Sequence, residues 1–388
     1  MRVFVVAGEP SGDRLGGALM EGLRTLVPEV EFHGVGGPLM EAQGLDSLFP
    51  MSELSVMGLV EVLPKFFHLK RRIAETAQAV LDTKPDVLIT IDSPDFSLRV
   101  AKLVKEQSST RTVHYVAPSV WAWRPGRADK MAKVIDHVLA LLPFEPPYME
   151  RAGMECDFVG HPVVGEPVAT DHDIQAFREA QGLGQAPLVL ALPGSRRGEV
   201  DRLAPVFGEA LRLFLENRPG TRVVVPAVAH MVDAVTVHVR DWPGSPVVVD
   251  PRNLPSDQAQ AQKRAAFAAA DLALAASGTV SLELAAQATP MVIAYNLNWL
   301  TTLIAKRMVN LDTVTLVNLV SDTRAVPECL LDDCEPAKIA AALSDVATNP
   351  GAQQNAMDLT MDRLGRGGEA PGLRAARAVL NRLPDHHA

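Results

Sequence analysis

Asp92, Asp95 and His114 in the first half of this sequence, and Arg196, Arg197 and Glu283 in the second, stand where a parallel α/β sheet presents side chains to a ligand. The segment Asp92-Ser93-Pro94-Asp95-Phe96 follows an apolar run, so it leaves the carboxyl end of a strand. A carboxylate there can act as general base on an acceptor hydroxyl. Asp95 fits capping of the following helix better, and Asp92 fits proton transfer better. The next apolar run delivers His114-Tyr115 and then Pro118-Ser119-Val120-Trp121-Ala122-Trp123-Arg124. Two tryptophans in one loop are costly to expose unless they pack on the domain or line a binding surface.

Arg196 and Arg197 lie in Pro193-Gly194-Ser195-Arg196-Arg197-Gly198-Glu199, between an apolar run and a long helical stretch. Two guanidiniums beside a positive helix end suit a diphosphate, although solvated surface arginines would read the same way. Ala276-Ser277-Gly278-Thr279 also follows an apolar run and opens a helix bearing Glu283. Its hydroxyls and N–H groups can hold phosphate, and Glu283 can bind sugar hydroxyls such as a ribose diol. Simple capping by Ser277 or Thr279 is compatible with that use.

A third turn, Gly8-Glu9-Pro10-Ser11-Gly12-Asp13, lets backbone N–H groups approach a ligand. Its glycine spacing fits neither GxGxxG nor GxxxxGK[ST], so a dinucleotide cradle and a P-loop are poorly supported. His161, in Gly160-His161-Pro162, either reaches a ligand from the domain crossover or is a satisfied hinge residue. Asp171-His172-Asp173 has the DxD spacing of metal-dependent sugar transferases, but it precedes a helix and reads as a cap.

Positioning these groups requires strands that alternate with helices. Strands are predicted at Arg2 to Ala7, Asp86 to Ile91, Arg111 to Val116, His137 to Leu142, Leu188 to Leu192, Arg222 to Val225, Pro246 to Val249, Leu272 to Ala275 and Met291 to Tyr295. Helices are predicted at Asp13 to Val27, Phe66 to Asp82, Phe96 to Glu106, Glu199 to Asn217, Thr279 to Gln287 and Pro336 to Ala347. The fold class is α/β, with two Rossmann-like doubly wound domains facing a cleft and ligand loops at the carboxyl ends of the strands. Residues 1–165 form the first of these domains and 166–350 the second. Residues 351–388 read as terminal helices whose packing partner the sequence does not reveal.

With 388 residues, 47% hydrophobic and 21% charged, the chain is long enough and apolar enough for two cores. A net charge of -9 disfavours nucleic acid as partner. Three cysteines without a CxxC pair signal neither a disulfide framework nor a zinc site. Residues 2–7 enter a strand at once, without the stages of a signal peptide, and no apolar run reaches the ~18 residues of a membrane span. A cytoplasmic protein with at most peripheral membrane contact is expected. Val56 to Ile73 sets Val62, Leu63, Phe66 and Phe67 beside Lys65, Lys70, Arg71 and Arg72. That is the composition of an interfacial helix on anionic lipid, or of a helix buried in the first domain.

Taken together, the segments resemble the lipid-A-disaccharide synthase family of bacterial glycosyltransferases over nearly the whole chain. The shared motifs are AGEPSGD at Ala7 to Asp13, VMGLVEVL at Val56 to Leu63, IDSPDF at Ile91 to Phe96 and YVAPSVWAW at Tyr115 to Trp123. They continue with LPFE at Leu142 to Glu145, GHP at Gly160 to Pro162, LPGSR at Leu192 to Arg196, ASGTVSLE at Ala276 to Glu283 and VNL at Val317 to Leu319. The resemblance implies the two-domain GT-B fold, with UDP held mainly by the second domain. It also implies transfer from UDP-2,3-diacylglucosamine to 2,3-diacylglucosamine 1-phosphate (lipid X), forming a β-1,6 link and releasing UDP.

Family positions map the nucleotide site onto Arg196, Glu283 and Asn318 and the catalytic carboxylate onto Asp92. Val317 stands where the family commonly has proline. Ser277, Gly278 and Thr279 join the nucleotide-sugar site, while Ser11 and Gly12 face it from the first domain. Val62, Leu63, Phe66, Phe67, Trp121 and Trp123 are expected to meet acceptor, acyl chains or the inner-membrane surface. Arginine and helix dipoles can serve the leaving group, so the scheme calls for no metal and no cofactor. A homodimer is compatible with these readings. The rivals are a UDP-sugar 2-epimerase, a two-lobed binding protein without catalysis, and an NAD-linked dehydrogenase, for which GxGxxG is missing.

Overall fold

Near-continuous apolar strands belong to sheets covered on both faces; β7 (Leu188–Leu192) and β10 (Leu272–Ala275) are apolar throughout, and β1 (Arg2–Ala7) and β3 (Val87–Ile91) are so apart from the exposed Arg2 and the buried Thr90. The computed structural model describes residues 1–54, 59–122, 126–296 and 312–383, with backbone alone for 59–66. The chain divides into two units, Met1–Gly165 with the stretch from Leu364 onward, and Glu166–Arg363. Each holds one six-stranded sheet in which every pairing is parallel.

In the first unit the strand order is β2-β1-β3-β4-β5-β6, with β2 at Glu31–Val35, β4 at Arg111–Tyr115, β5 at His137–Ala140 and β6 at Glu155–Phe158. Alternate residues serve opposite faces. Val3, Val5 and Ala7 pack under α1 (Pro10–Leu26) with Leu15, Leu19 and Leu23. Phe4 and Val6 pack on the other side with Ile73, Ala77 and Val80 of α3 (Leu59–Thr83) and Val100 and Val104 of α4 (Pro94–Lys105). Burying each such side chain contributes about 1.5–3 kcal/mol. The predicted helix from Phe66 therefore starts earlier, at Leu59, and its second half is a core helix.

The second unit has the order β12-β11-β10-β7-β8-β9, with β8 at Arg222–Pro226, β9 at Val247–Val249, β11 at Met291–Tyr295 and β12 at Glu328–Leu330. Here the chain winds outward one way from β7 and the other way from β10, so β7 and β10 flank a topological switch point. In the first sheet, β1 and β3 do the same. Helices α8 (Arg197–Leu215) and Pro336–Thr348 pack on one face of the second sheet. Strands β2, β6 and β12, which the sequence reading lacks, are all edge strands.

The terminal stretch is shared between the units. Helix Gly351–Arg363 packs on Leu316–Ser321 and on α11 (Val280–Ala286), whereas Pro371–Asn381 packs on α1. The last contact is close, because a Cβ at Gly22 would stand 2.7 Å from the Gly372 carbonyl oxygen. No helix among the described residues is long and apolar enough to cross a membrane.

Candidate active site

At the end of β3 the chain turns through Asp92 and Ser93 in the left-handed region, with φ 49° and 44°. The Asp92 N–H donates to the Tyr115 carbonyl at 3.0 Å, and the Asp92 carbonyl accepts from Ser97 Oγ at 2.8 Å. Just beyond the neighbouring β4, Val116 has φ 87°, an outlier for a β-branched side chain, held by its N–H on the Leu139 carbonyl at 3.0 Å. Such residues cost about 1–3 kcal/mol each and persist only where their surroundings over-determine them. The two turns enclose a pocket of about 240 Å³ that Asp92 shares with His114, Ser119 and Arg127. Asp95 is exposed in the first turn of α4 and is not part of that lining.

His114 is 2% exposed, with Nδ1 2.8 Å from Thr90 Oγ1. Burial pushes its pKa down to about 4, so the ring is neutral at pH 7. Trp121 is half-buried, edge-on to Phe144 at 5.3 Å, and its Nε1–H donates to Glu145 Oε1 at 3.4 Å. Glu145 also accepts from the Leu141 and Leu142 N–H groups at 3.2 and 3.0 Å. It is 4% exposed, and burial pushes its pKa up to about 7. The acid of the LPFE motif thus tethers the tryptophan loop, a role the sequence reading did not assign.

The glycine turn after β1 is less a ligand loop than expected. Gly12 is buried, and a Cβ there would lie 3.3 Å from Ala7 Cβ, so its bare Cα serves the packing of α1 on the sheet. Ser11 is exposed in the same turn, and neither residue lines the pockets described here. Asp13 is a staple. Its carboxylate accepts from the N–H groups of Gly37, Leu39 and Met40 at 2.9, 3.0 and 3.0 Å.

In the second unit, the loops leaving β7 and β10 line a pocket of about 620 Å³ that includes Arg196, Ser277, Gly278, Thr279 and Glu283. Gly278, at φ +153°, adopts a conformation that side-chain-bearing residues rarely take. Pro226, Val228, Val249 and Pro251 give the pocket an apolar wall. Arg196 is 82% exposed and lies 3.5 Å from Glu199. The same glutamate accepts from the N–H groups of Ser195 and Arg196 at 3.2 and 3.3 Å, so those amides are engaged by the helix they precede. Arg197 turns away to Asp201 at 3.2 Å, leaving one guanidinium of the pair at the pocket. Glu283 is ion-paired with Lys263 of α10 (Ser256–Ala268), a pocket residue that the sequence reading missed with its helix.

Asn318 is placed differently from the other residues expected at the nucleotide site. It is 1% exposed, its Nδ2 donates to Thr313 Oγ1 and the Val326 carbonyl at 3.2 and 2.9 Å, and its Oδ1 accepts from the Val326 N–H at 2.9 Å. It ties the chain around helix Leu316–Ser321 and does not line the pocket. His161 likewise lines neither pocket; its Nδ1 accepts from the Val163 N–H at 3.2 Å. Asp173 closes a capping box with Thr170 at the start of α7 (Asp171–Ala180), as its position before a helix predicts.

Phe67 is 80% exposed. Trp123 and the side chains of Val62, Leu63 and Phe66 lie outside the described residues. Of the basic residues on this helix, Arg72 is spent on the unit itself, paired with Glu53 and Glu75 and stacked on Phe49.

Comparison of the sequence with known proteins points to one family. The lipid-A-disaccharide synthetase model matches residues 3–378. Lipid-A-disaccharide synthase of Ruegeria pomeroyi is 75% identical over 99% of this chain and 96% of its own length. The enzyme of that name from Rhodospirillum centenum is 46% identical over 98% and 94%. In fold, the chain is similar to UDP-GlcNAc 2-epimerase from Neisseria meningitidis bound to UDP-GlcNAc, with TM-score 0.65, 12% identity, and 98% and 99% of the two chains covered. It is also similar to MurG of Acinetobacter baumannii, with TM-score 0.55, 13% identity and 98% of each chain covered. The fold is therefore the two-domain GT-B type, and the chain belongs to the lipid-A-disaccharide synthetase family.

Proposed function

We infer that the chain joins UDP-2,3-diacylglucosamine to 2,3-diacylglucosamine 1-phosphate, giving lipid A disaccharide 1-phosphate and UDP. The observation that carries this is the family match across residues 3–378, which takes in both pockets. In this reading the second unit's pocket receives UDP. The apolar wall faces the base, Glu283 the ribose diol, and Arg196 with the Ser277 and Thr279 hydroxyls the diphosphate.

Asp92 takes the proton of the acceptor 6-hydroxyl. That oxygen attacks the donor's anomeric carbon from the face opposite UDP, and the bond from that carbon to the diphosphate oxygen breaks, with its electron pair leaving on UDP. One displacement converts an α-linked donor into a β link, through an oxocarbenium-like transition state of the kind seen in glycoside hydrolysis. Arg196 neutralises charge that develops on the leaving group. Asp92 is favoured over Asp95 as the base because it lines the first unit's pocket. His114 is disfavoured because burial opposes the imidazolium it would form.

With arginine and hydroxyls on the leaving group, no divalent ion is called for. Chelation is expected to leave turnover unchanged, and strict dependence on an added divalent ion would overturn that part. The acyl chains of both substrates place the reaction at a bilayer surface, and we assign the contact to the cytoplasmic face of the inner membrane through the Phe67 end of α3. The test of the reaction is incubation of the purified protein with both acylated sugars and mass spectrometry of the products. Disaccharide 1-phosphate with one UDP per link is expected. Epimerised UDP-sugar, or binding without UDP release, would overturn the assignment.

A further inference from the structure

Arg127 stands in the wall of the first unit's pocket, beside Asp92, His114 and Ser119. It is half-buried, and no hydrogen bond or ion pair engages it among the described residues. Other arginines of this unit are paired, as Arg72 is with Glu53, Arg111 with Glu155 and Arg382 with Asp157. A guanidinium partly withdrawn from water without a carboxylate is a group awaiting an anion, and its planar fork suits a phosphate. Burial keeps His114 neutral, so Asp92 and Arg127 are the charged groups of the lining. They share the pocket without pairing with each other. The acceptor needs such an arrangement. Its anomeric phosphate is on C1 and its 6-hydroxyl on C6, the exocyclic carbon attached to C5; because C1 and C5 flank the ring oxygen, both groups project from one edge of the sugar, a few bond lengths apart. The remaining lining, including Leu98, Val116 and Met131, is apolar, which strengthens a charged contact by excluding water.

We propose that Arg127 is the acceptor's phosphate anchor: its guanidinium binds the anomeric phosphate of 2,3-diacylglucosamine 1-phosphate and thereby turns the 6-hydroxyl toward Asp92. This rests on the reaction inferred above. It adds a specificity element, since the same group would discriminate the phosphorylated acceptor from its phosphate-free counterpart.

The test is a cycle of two proteins and two ligands. Parent and Arg127→Ala are each measured for direct binding of the acceptor and of phosphate-free 2,3-diacylglucosamine, and for acceptor and donor KM. The parent is expected to prefer the phosphorylated ligand by about 10- to 100-fold, the range of a hydrogen bond to a charged group. Arg127→Ala should lose that preference and raise acceptor KM by a similar factor, with donor KM and melting temperature unchanged. Arg127→Lys should restore part of it. A variant that keeps the full preference, or that weakens donor and acceptor alike, would overturn the proposal. If the parent makes no disaccharide, the inferred reaction fails, and the binding cycle still decides whether Arg127 holds the phosphate.

Discussion

Where β1 and β3 part, the chain turns through Asp92 and Ser93 in left-handed conformations, and Gly8 is pressed so close that a Cβ would lie 2.7 Å from Ser93 Oγ. Where β7 and β10 part, Gly278 has nothing within 4 Å of the place a Cβ would occupy. The Ser277 and Thr279 hydroxyls stand there with no hydrogen bond among the described residues, and the pocket is about 620 Å³ against about 240 Å³. Both sites use the switch point of a parallel sheet. The first spends backbone strain and tight packing on fixing one carboxylate, and the second leaves space and free donors for a large anion. On the roles proposed above, the contrast makes physical sense: a proton-transfer group needs its position fixed to a fraction of an ångström, whereas a nucleotide is held by many weaker contacts.

Removing the carboxylate is the largest way to break this contrast. Asp92→Asn should lower kcat by about 100- to 10,000-fold while leaving UDP affinity near that of the parent. Near-normal turnover in a steady-state assay would move the base elsewhere. Next come the two glycines. Gly8→Ala should cost about 1–3 kcal/mol through overpacking, and Ser93→Gly should rescue it, since the next contact is Leu54 Cβ at 3.6 Å. Gly278→Ala meets no neighbour and suffers through its φ of +153° alone, so it should raise donor KM without rescue by trimming any side chain. Thermal melts and donor kinetics on the single and double variants would separate the two mechanisms; equal rescue at both sites would erase the distinction.

A smaller effect sharpens how the first unit holds its loop. Glu145 keeps its proton to about pH 7 when folded but releases it near 4.5 when unfolded. The folded chain therefore binds more protons between those values, and stability falls as pH rises through that window, by on the order of 3 kcal/mol in all. Glu145→Gln should flatten the slope, so that its melting temperature gains on the parent's from pH 4.5 to 7 and levels off above. Parallel slopes would mean that the carboxyl titrates normally. Smallest is Phe67→Ser, which should weaken binding to anionic vesicles with the melting temperature unchanged, because the ring is 80% exposed. Unaltered vesicle binding would place the membrane contact elsewhere.

The inner strands were legible because burial on both faces demands unbroken apolar runs. Strands β2, β6 and β12 escaped notice because an edge tolerates the polar residues of Glu31–Val35, Glu155–Phe158 and Glu328–Leu330. Asp92 and Arg196 could be found by their place after a strand. Arg127 and Lys263 carry no such local mark, since they enter the pockets from helices whose own sequences are ordinary surface patterns. Glu145 stood in a visible motif, but only folding reveals that it is buried beneath Trp121.

By itself the sequence determined the alternation of strand and helix, the division into two doubly wound halves, and which loops leave the carboxyl ends of strands. All three follow from periodicity and burial along a few adjacent residues. Tertiary structure decided which groups in those loops remain available for chemistry. Asp13 is consumed by the amides of Gly37, Leu39 and Met40, Arg197 by Asp201, and both ends of the Asn318 amide by the chain around it, whereas Arg127 is left unpaired among the described residues. The partner that satisfies a polar group comes from tens of residues away in the first case and from near neighbours in the others, and hydrogen bonds follow distance in space, which residue spacing along the chain does not specify.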